Sequence, residues 1–198
     1  MSPKVTAIYK TDVKNQILQA ALESFSKTGY DKTRMDDIAD KSGLSKGTLY
    51  LYFKSKEDLF NGICEAQIEQ LRATLAEISR SEGDLTDTIA SVYDKLRKME
   101  TGFEAVIFEM LAESTRNSRL REIFQSQQNE VLSAVTEVLR NLAKRGDLAK
   151  DTDFEALATG YIALYRGLSI GFPDSLARRA WNATTRAIIR GTKGSLLR

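Results

Sequence analysis

Only two prolines, Pro3 and Pro173, interrupt the chain, so almost nothing between them forbids a helix. An all-β domain would need many turns marked by proline and glycine, and the 12 glycines are too few and too scattered for that. The long stretches between them are rich in Ala, Leu, Glu, Lys and Arg, which favour helix. With 42% hydrophobic residues among 198, the chain has material for a sizeable core. An all-α fold of about nine helices is expected.

The inventory of side chains closes off much chemistry. There is no histidine, and the single cysteine, Cys64, cannot close an internal disulfide. A Ser-His or Cys-His pair and an imidazole metal site are therefore excluded, and no cofactor is expected. An enzyme would have to rely on Glu109, Glu113 or Cys64, which make no recognisable nucleophile and base pair. Glu109 and Glu113 stand four apart beside an apolar run and would hold a cation only if buried; the expectation is that both are wet. Cys64, a lone thiol on an apolar helix, is expected to be inert. The amino terminus, MSPKVTAIYK, has no apolar signal core, and no stretch supplies roughly 18 uninterrupted apolar residues. A cytoplasmic protein without membrane contact is expected.

Net charge is only +2, but it is unevenly spread. Ten bases against six acids put residues 1–56 at +4 and leave the remainder at −2. A basic head on a slightly acidic body suits a phosphate-facing module joined to something that is not one.

In that head, Val13, Ile17, Ala20, Ala21 and Phe25 recur at spacings of three and four, with Leu18 and Leu22 widening the stripe of a first helix that Gly29 ends. Thr33 is expected to cap a short second helix, with Asp36 reaching back as a capping acid. Met35, Ile38 and Ala39 form its buried side, and Ser42 and Gly43 interrupt it. Ser45 caps a third helix whose Leu49 and Phe53 point inward, leaving Lys46, Gly47, Thr48, Tyr50, Leu51 and Tyr52 on the other faces. Such a helix, about 13 Å long, suits one pass through a DNA major groove. Ser55 caps a fourth helix, and Lys56 sits in its first turn, where the helix dipole disfavours a cation. A lysine placed against local preference suggests a role outside the fold, such as a phosphate contact. Taken singly, Tyr50 and Tyr52 fit a core edge equally well, and Lys54 and Lys56 an ordinary solvated face. Two short helices joined by a tight Ser-Gly turn and flanked by longer ones make a helix-turn-helix.

The stretch TRMDDIADKSGLSKGTLYLYFKSKEDLF closely resembles the amino-terminal domain of TetR-family transcriptional regulators, including Gly43, the KGTLYLYF block and the following KSKEDLF. The resemblance covers roughly residues 12–60; beyond them only length and helical character agree. It implies that Lys46, Gly47, Thr48 and Leu51 face base edges and that Tyr50, Tyr52 and Lys56 face phosphates, with Ser45 at the helix start completing the set. Thr33 would offer its hydroxyl and backbone amide to a further phosphate. The chemistry is compatible: lysine donates to guanine O6 or N7, a threonine or leucine methyl touches the thymine methyl, and tyrosine hydroxyls donate to phosphate. Where many family members carry histidine in the last part of this block, the chain has Tyr52 and so lacks a protonation switch there.

Past the head, Leu59, Ile63, Ile68, Leu71, Leu75 and Ile78 predict a fourth helix over about 56–79, with Gly62 as a soft point. A fifth follows SEGD to about residue 100, a sixth covers 103–116 and a seventh 118–145; an eighth begins at Asp151 or Thr152, and Pro173 stands in the first turn of a ninth. The last two are apolar over so wide an arc that each must bury two sides. As in the dimers of the family it resembles, one side would pack in the subunit and the other against a twin through Tyr161, Leu164, Leu168, Leu176, Ala180, Trp181 and Ile188; the other reading is burial wholly within one subunit. Cys64, Tyr93, Phe103, Ile107, Phe108, Met110, Leu111, Phe124, Tyr161 and Tyr165 are candidates for an apolar effector pocket, although any one of them fits plain core packing.

Residues 1–55, with a flexible arm over 1–10, are thus expected to bind double-stranded DNA, and residues 56–198 to bind an effector and dimerise. The expected function is that of a homodimeric repressor released from a palindromic operator by a small hydrophobic or aromatic molecule. An effector-independent dimeric DNA-binding structural protein is the alternative.

Overall fold

A computed structural model of the chain describes residues 7–80, 83–99 and 102–195. Among these, all regular structure is helical: α1 Ala7–Thr28, α2 Met35–Ser42, α3 Lys46–Tyr52, α4 Lys56–Arg80, α5 Leu85–Met99, α6 Phe103–Ser114, α7 Ser118–Lys144, α8 Phe154–Gly171 and α9 Asp174–Ser195. Helix begins at Ala7, so residues 7–10 of the expected flexible arm belong to α1; residues 1–6 lie outside the described residues.

The stripe read on α1 is its buried face: Val13, Ile17, Leu18, Ala20, Ala21 and Phe25 are all in the core. The start of α2 differs from expectation by one residue. Arg34, not Thr33, is the N-cap, and the acid that reaches back is Asp37, whose carboxylate accepts from the Arg34 N–H at 3.1 Å. Thr33 is spent elsewhere, and Asp36 is thereby left for another partner. At its far end α2 closes on Gly43, whose φ of 68° is left-handed and lets the amides of Gly43 and Leu44 reach back to the Asp40 and Ala39 carbonyls at 3.1 and 3.2 Å. That turn sends the chain straight into α3. Later caps sit within a residue or two of expectation: Asp153 starts α8 by accepting from the Ala156 N–H at 3.0 Å, and Pro173 stands just before α9.

By its packing the chain forms two units, Met1–Gln67 with Glu100–Gln127, and Ile68–Met99 with Gln128–Arg198. The division therefore falls within α4 and α7 and not at the 55/56 boundary read from the sequence. The reason is a shared core: Val106, Met110, Leu120 and Ile123 of α6 and α7 cluster with Ile17, Phe25, Ile38, Leu49 and Leu59 of the helix-turn-helix. Packing, not the motif's edge, sets the size of this unit.

In the second unit α9 packs on α5 and α8. Its centre is aromatic: Tyr161 and Trp181 are in contact, and Tyr93, Tyr165 and Trp181 pack mutually, with ring centroids between 5.7 and 6.1 Å apart. The Trp181 indole N–H, buried with them, donates to the Ile89 carbonyl at 3.0 Å. Leu71, Leu75 and Ile78 of α4 form a neighbouring cluster with Val92 and Ala134.

Candidate nucleic-acid interface

Helix α3 is short because its ends are both closed. Ser45 Oγ accepts from the Thr48 N–H at 3.1 Å and is hydrogen-bonded to the Thr48 hydroxyl at 2.9 Å. At the other end Phe53 turns extended and gives its N–H to the Leu49 carbonyl at 3.0 Å. Leu49 and Phe53 are buried and pin the helix to the core, which leaves Lys46, Gly47, Tyr50 and Leu51 exposed, and Thr48 and Tyr52 half-buried. Leu51 is 77% exposed, an extreme value for a leucine on a helix held so firmly on its other side. Seven residues at 1.5 Å each span about 10 Å, within the width of a major groove.

Lys46 already has a partner. Its ammonium lies 2.6 Å from Asp36 Oδ2 on α2, and Arg34 reaches the same carboxylate at 3.8 Å. The hydrogen bond from Lys46 and its charge hold the Asp36 carboxyl below its usual range, and Asp36 in turn raises the lysine. This pair was not legible in the sequence, where Asp36 read as a capping acid.

Two other expected phosphate contacts are engaged within the protein. Thr33 is 2% exposed; its hydroxyl lies 2.7 Å from the Thr28 hydroxyl and donates to the Gly29 carbonyl at 2.6 Å, while its amide donates to Gly29 as well. Within the protein, Thr33 closes the turn between α1 and α2. Lys56 donates to the Tyr30 carbonyl at 2.7 Å and to the Asp31 carbonyl at 3.2 Å, with its ammonium 4.3 Å from the centre of the Tyr30 ring. An ammonium has a third N–H, which leaves one for a phosphate. Ser55 caps α4 as expected, accepting from the Asp58 N–H at 3.2 Å.

Tyr30 is the hub that sequence reasoning passed over. Its N–H donates to the carboxylate of Glu109 on α6 at 2.8 Å, its ring packs against Phe25, and burial pushes its phenol well up, with Glu57 adding to the effect. Glu109 is thus half-buried and hydrogen-bonded within the protein, not simply wet. No local pattern could have announced the contact, which spans 79 residues.

Two family profiles match the chain: "Bacterial regulatory proteins, tetR family" over residues 17–63 and "BetI-type transcriptional repressor, C-terminal" over residues 96–192. This chain belongs to the TetR family. It is a DNA-binding transcriptional regulator and not an enzyme. YfiR of Bacillus subtilis, an HTH-type transcriptional regulator, is 28% identical over 178 residues, covering 85% of this chain and 83% of that protein. The fold is shared with a TetR-family regulator from Rhodococcus sp. (TM-score 0.78, 19% identity, covering 90% of this chain and 99% of that one). It is also shared with a transcriptional regulator from Saccharomonospora viridis in complex with choline (TM-score 0.65, 23% identity, covering 87% and 95%).

In the carboxy-terminal part of this TetR-family chain, the expected pocket residues do not gather into one cluster. Cys64, Phe103, Ile107 and Met110 join the core of the first unit, whereas Tyr93, Tyr161 and Tyr165 join that of the second. Phe124 is half-buried, and Phe108 and Leu111 are exposed. Burial raises the Cys64 thiol, which keeps it protonated, and pushes Tyr161 up to about 12. The expected dimer contacts divide as well. Tyr161, Leu168 and Trp181 are buried within the subunit, Leu164, Ala180 and Ile188 are half-buried, and only Leu176 is exposed. The outward faces of α8 and α9 also carry small residues: Gly160, Ala163 and Gly167 on the first, and Ala183 and Ala187 on the second. Among the described residues, no helix is long and apolar enough to cross a membrane.

Proposed function

We propose that this regulator is a homodimeric repressor that reads a palindromic operator with α3 of each subunit and leaves it when a small hydrophobic or aromatic effector binds. The observation that carries the reading is Leu51. An apolar side chain 77% exposed on a helix otherwise fixed by Leu49 and Phe53 fits the methyl edge of thymine in a major groove. Beside it Lys46 donates to guanine, Thr48 and Gly47 admit close approach, and the Tyr50 and Tyr52 hydroxyls donate to phosphates. Lys56, held by the Tyr30 and Asp31 carbonyls, offers its remaining N–H to the DNA backbone.

The small outward residues of α8 and α9 support dimerisation, because beyond their own helix backbone nothing lies within 4 Å of where a β-carbon of Gly160 or Gly167 would stand, and two such faces can approach closely. Two-fold symmetry then presents the same reading helix twice, hence a palindrome. The choline held by a protein of the same fold supports a body built to take a small molecule. Effector and DNA oppose each other through one coupling energy, each lowering the affinity for the other.

Selection of bound duplexes from random sequence tests the reading. The wild-type protein is expected to enrich a near-palindrome, and Lys46→Ala and Thr48→Ala to change the preferred bases. Undiminished selection of the wild-type sequence by both variants would remove these residues from base reading.

A further inference from the structure

We propose that Asp36 sets the discrimination of the reading helix by holding the Lys46 ammonium at the groove and away from the phosphates, an inference that rests on Lys46 being a base contact. An acid on a face that meets DNA is unfavourable on its own, since it repels every phosphate alike. Exposed ion pairs contribute little to stability, so stability is a weak reason for placing one here. Asp36 nonetheless sits at the second position of α2, within 2.6 Å of the first residue of α3. Its helix is rigidly seated, because Ile38 and Ala39 are completely buried. Lysine carries a point charge on a flexible four-carbon stem, and an exposed one goes wherever the local charge takes it. Beside DNA that is the phosphate backbone, which carries no sequence information.

Asp36 changes that outcome. One of the ammonium's N–H groups is committed to the carboxylate, and the stem is drawn back against α2 at the start of α3. The remaining N–H groups can still meet guanine O6 and N7, whose acceptors lie at the floor of the groove. Arg34 lies 3.8 Å from the same carboxylate, a looser ion pair without a hydrogen bond. Asp36 is a positioning residue: it lowers affinity for every sequence and lowers it least where a base accepts from Lys46.

The test measures dissociation constants for the selected operator and for random duplex over a range of salt, using wild type, Asp36→Asn, Lys46→Ala and the double variant, with thermal melting recorded for each. Asp36→Asn is expected to bind random duplex more tightly, to lose about tenfold in the ratio of specific to random affinity, and to gain about one unit of salt slope on random duplex. In the Lys46→Ala background the same substitution should leave the ratio unchanged. The proposal is overturned if Asp36→Asn keeps the wild-type ratio, if it lowers the ratio equally without Lys46, or if both affinities fall together with the melting temperature. A wild-type protein that binds operator and random duplex alike would instead sink the base-reading function itself, and this inference with it.

Discussion

The Lys56 ammonium lies 2.7 Å from the Tyr30 carbonyl oxygen and directly over the Tyr30 ring, tying the first turn of α4 to the turn that links α1 and α2. This accounts for a cation at the dipole-disfavoured end of a helix, since the carbonyls it serves come from another element. Lys56→Ala is therefore expected to cost about 1–2 kcal/mol of stability, from lost charge-assisted hydrogen bonds and the ring contact, in addition to weakening all DNA sequences alike. Denaturant unfolding alongside DNA titration checks it. An unchanged unfolding midpoint with weakened DNA binding would leave Lys56 as a phosphate contact alone.

Gly62 reverses its expected behaviour. As a soft point in α4 it should gain about 1 kcal/mol on substitution by alanine. A β-carbon there, however, would stand 2.9 Å from Leu18 Cδ2 and 2.9 Å from Phe53 Cε1, both buried side chains. Overpacking of this kind costs about 1–3 kcal/mol and offsets the helical gain. Because Phe53 closes α3, the displacement also reaches the reading helix. Gly62→Ala is expected to unfold at lower denaturant and to bind operator less tightly; a stabilised protein with full affinity would show that the Leu18 and Phe53 side chains yield freely.

Trp181 is the wrong residue with which to probe a dimer. At 3% exposure, with its N–H bonded to Ile89 and its ring among three tyrosines, it belongs to the subunit core. Trp181→Glu is expected to unfold the second unit, and Trp181→Phe to cost about 1–3 kcal/mol through the lost indole hydrogen bond and the lost ring area. Ala163→Glu, on the exposed face of α8, should instead give a folded monomer. Sedimentation with circular dichroism separates the cases. A folded dimer of Ala163→Glu would move the interface off that face.

With no histidine in the chain and Tyr52 in the reading block, DNA affinity should be flat between about pH 6 and 8. Substituting Tyr52→His should introduce a rise in affinity as pH falls through the imidazole range, because a cation then faces the phosphates. Binding isotherms at fixed ionic strength across that range measure both, and a pH-dependent wild type would point to another titrating group at the interface.

What could be read in order along the chain was what depends on neighbours a few residues apart. The stripe on α1, the Ser45 cap and the Gly43 turn arise from helical periodicity and from single hydrogen bonds over three to five positions. Those interactions act in the unfolded chain as well as the folded one, so sequence alone determined an all-helical fold, the order of its elements and a helix-turn-helix of a recognisable family. Only the tertiary structure decided which side chains were left to function. Lys46 finds Asp36 across 10 residues, Lys56 finds Tyr30 across 26, and Trp181 finds Ile89 across 92. A polar group taken into the fold must be satisfied by whatever donor or acceptor packing brings beside it. Packing likewise turned Tyr161, Tyr165, Leu168, Trp181 and Ile189 of α8 and α9 inward and left Gly160, Ala163, Gly167, Ala183 and Ala187 outside beside Ile170 and Leu176, because which apolar residues of a wide stripe are buried depends on where the subunit's own core has room.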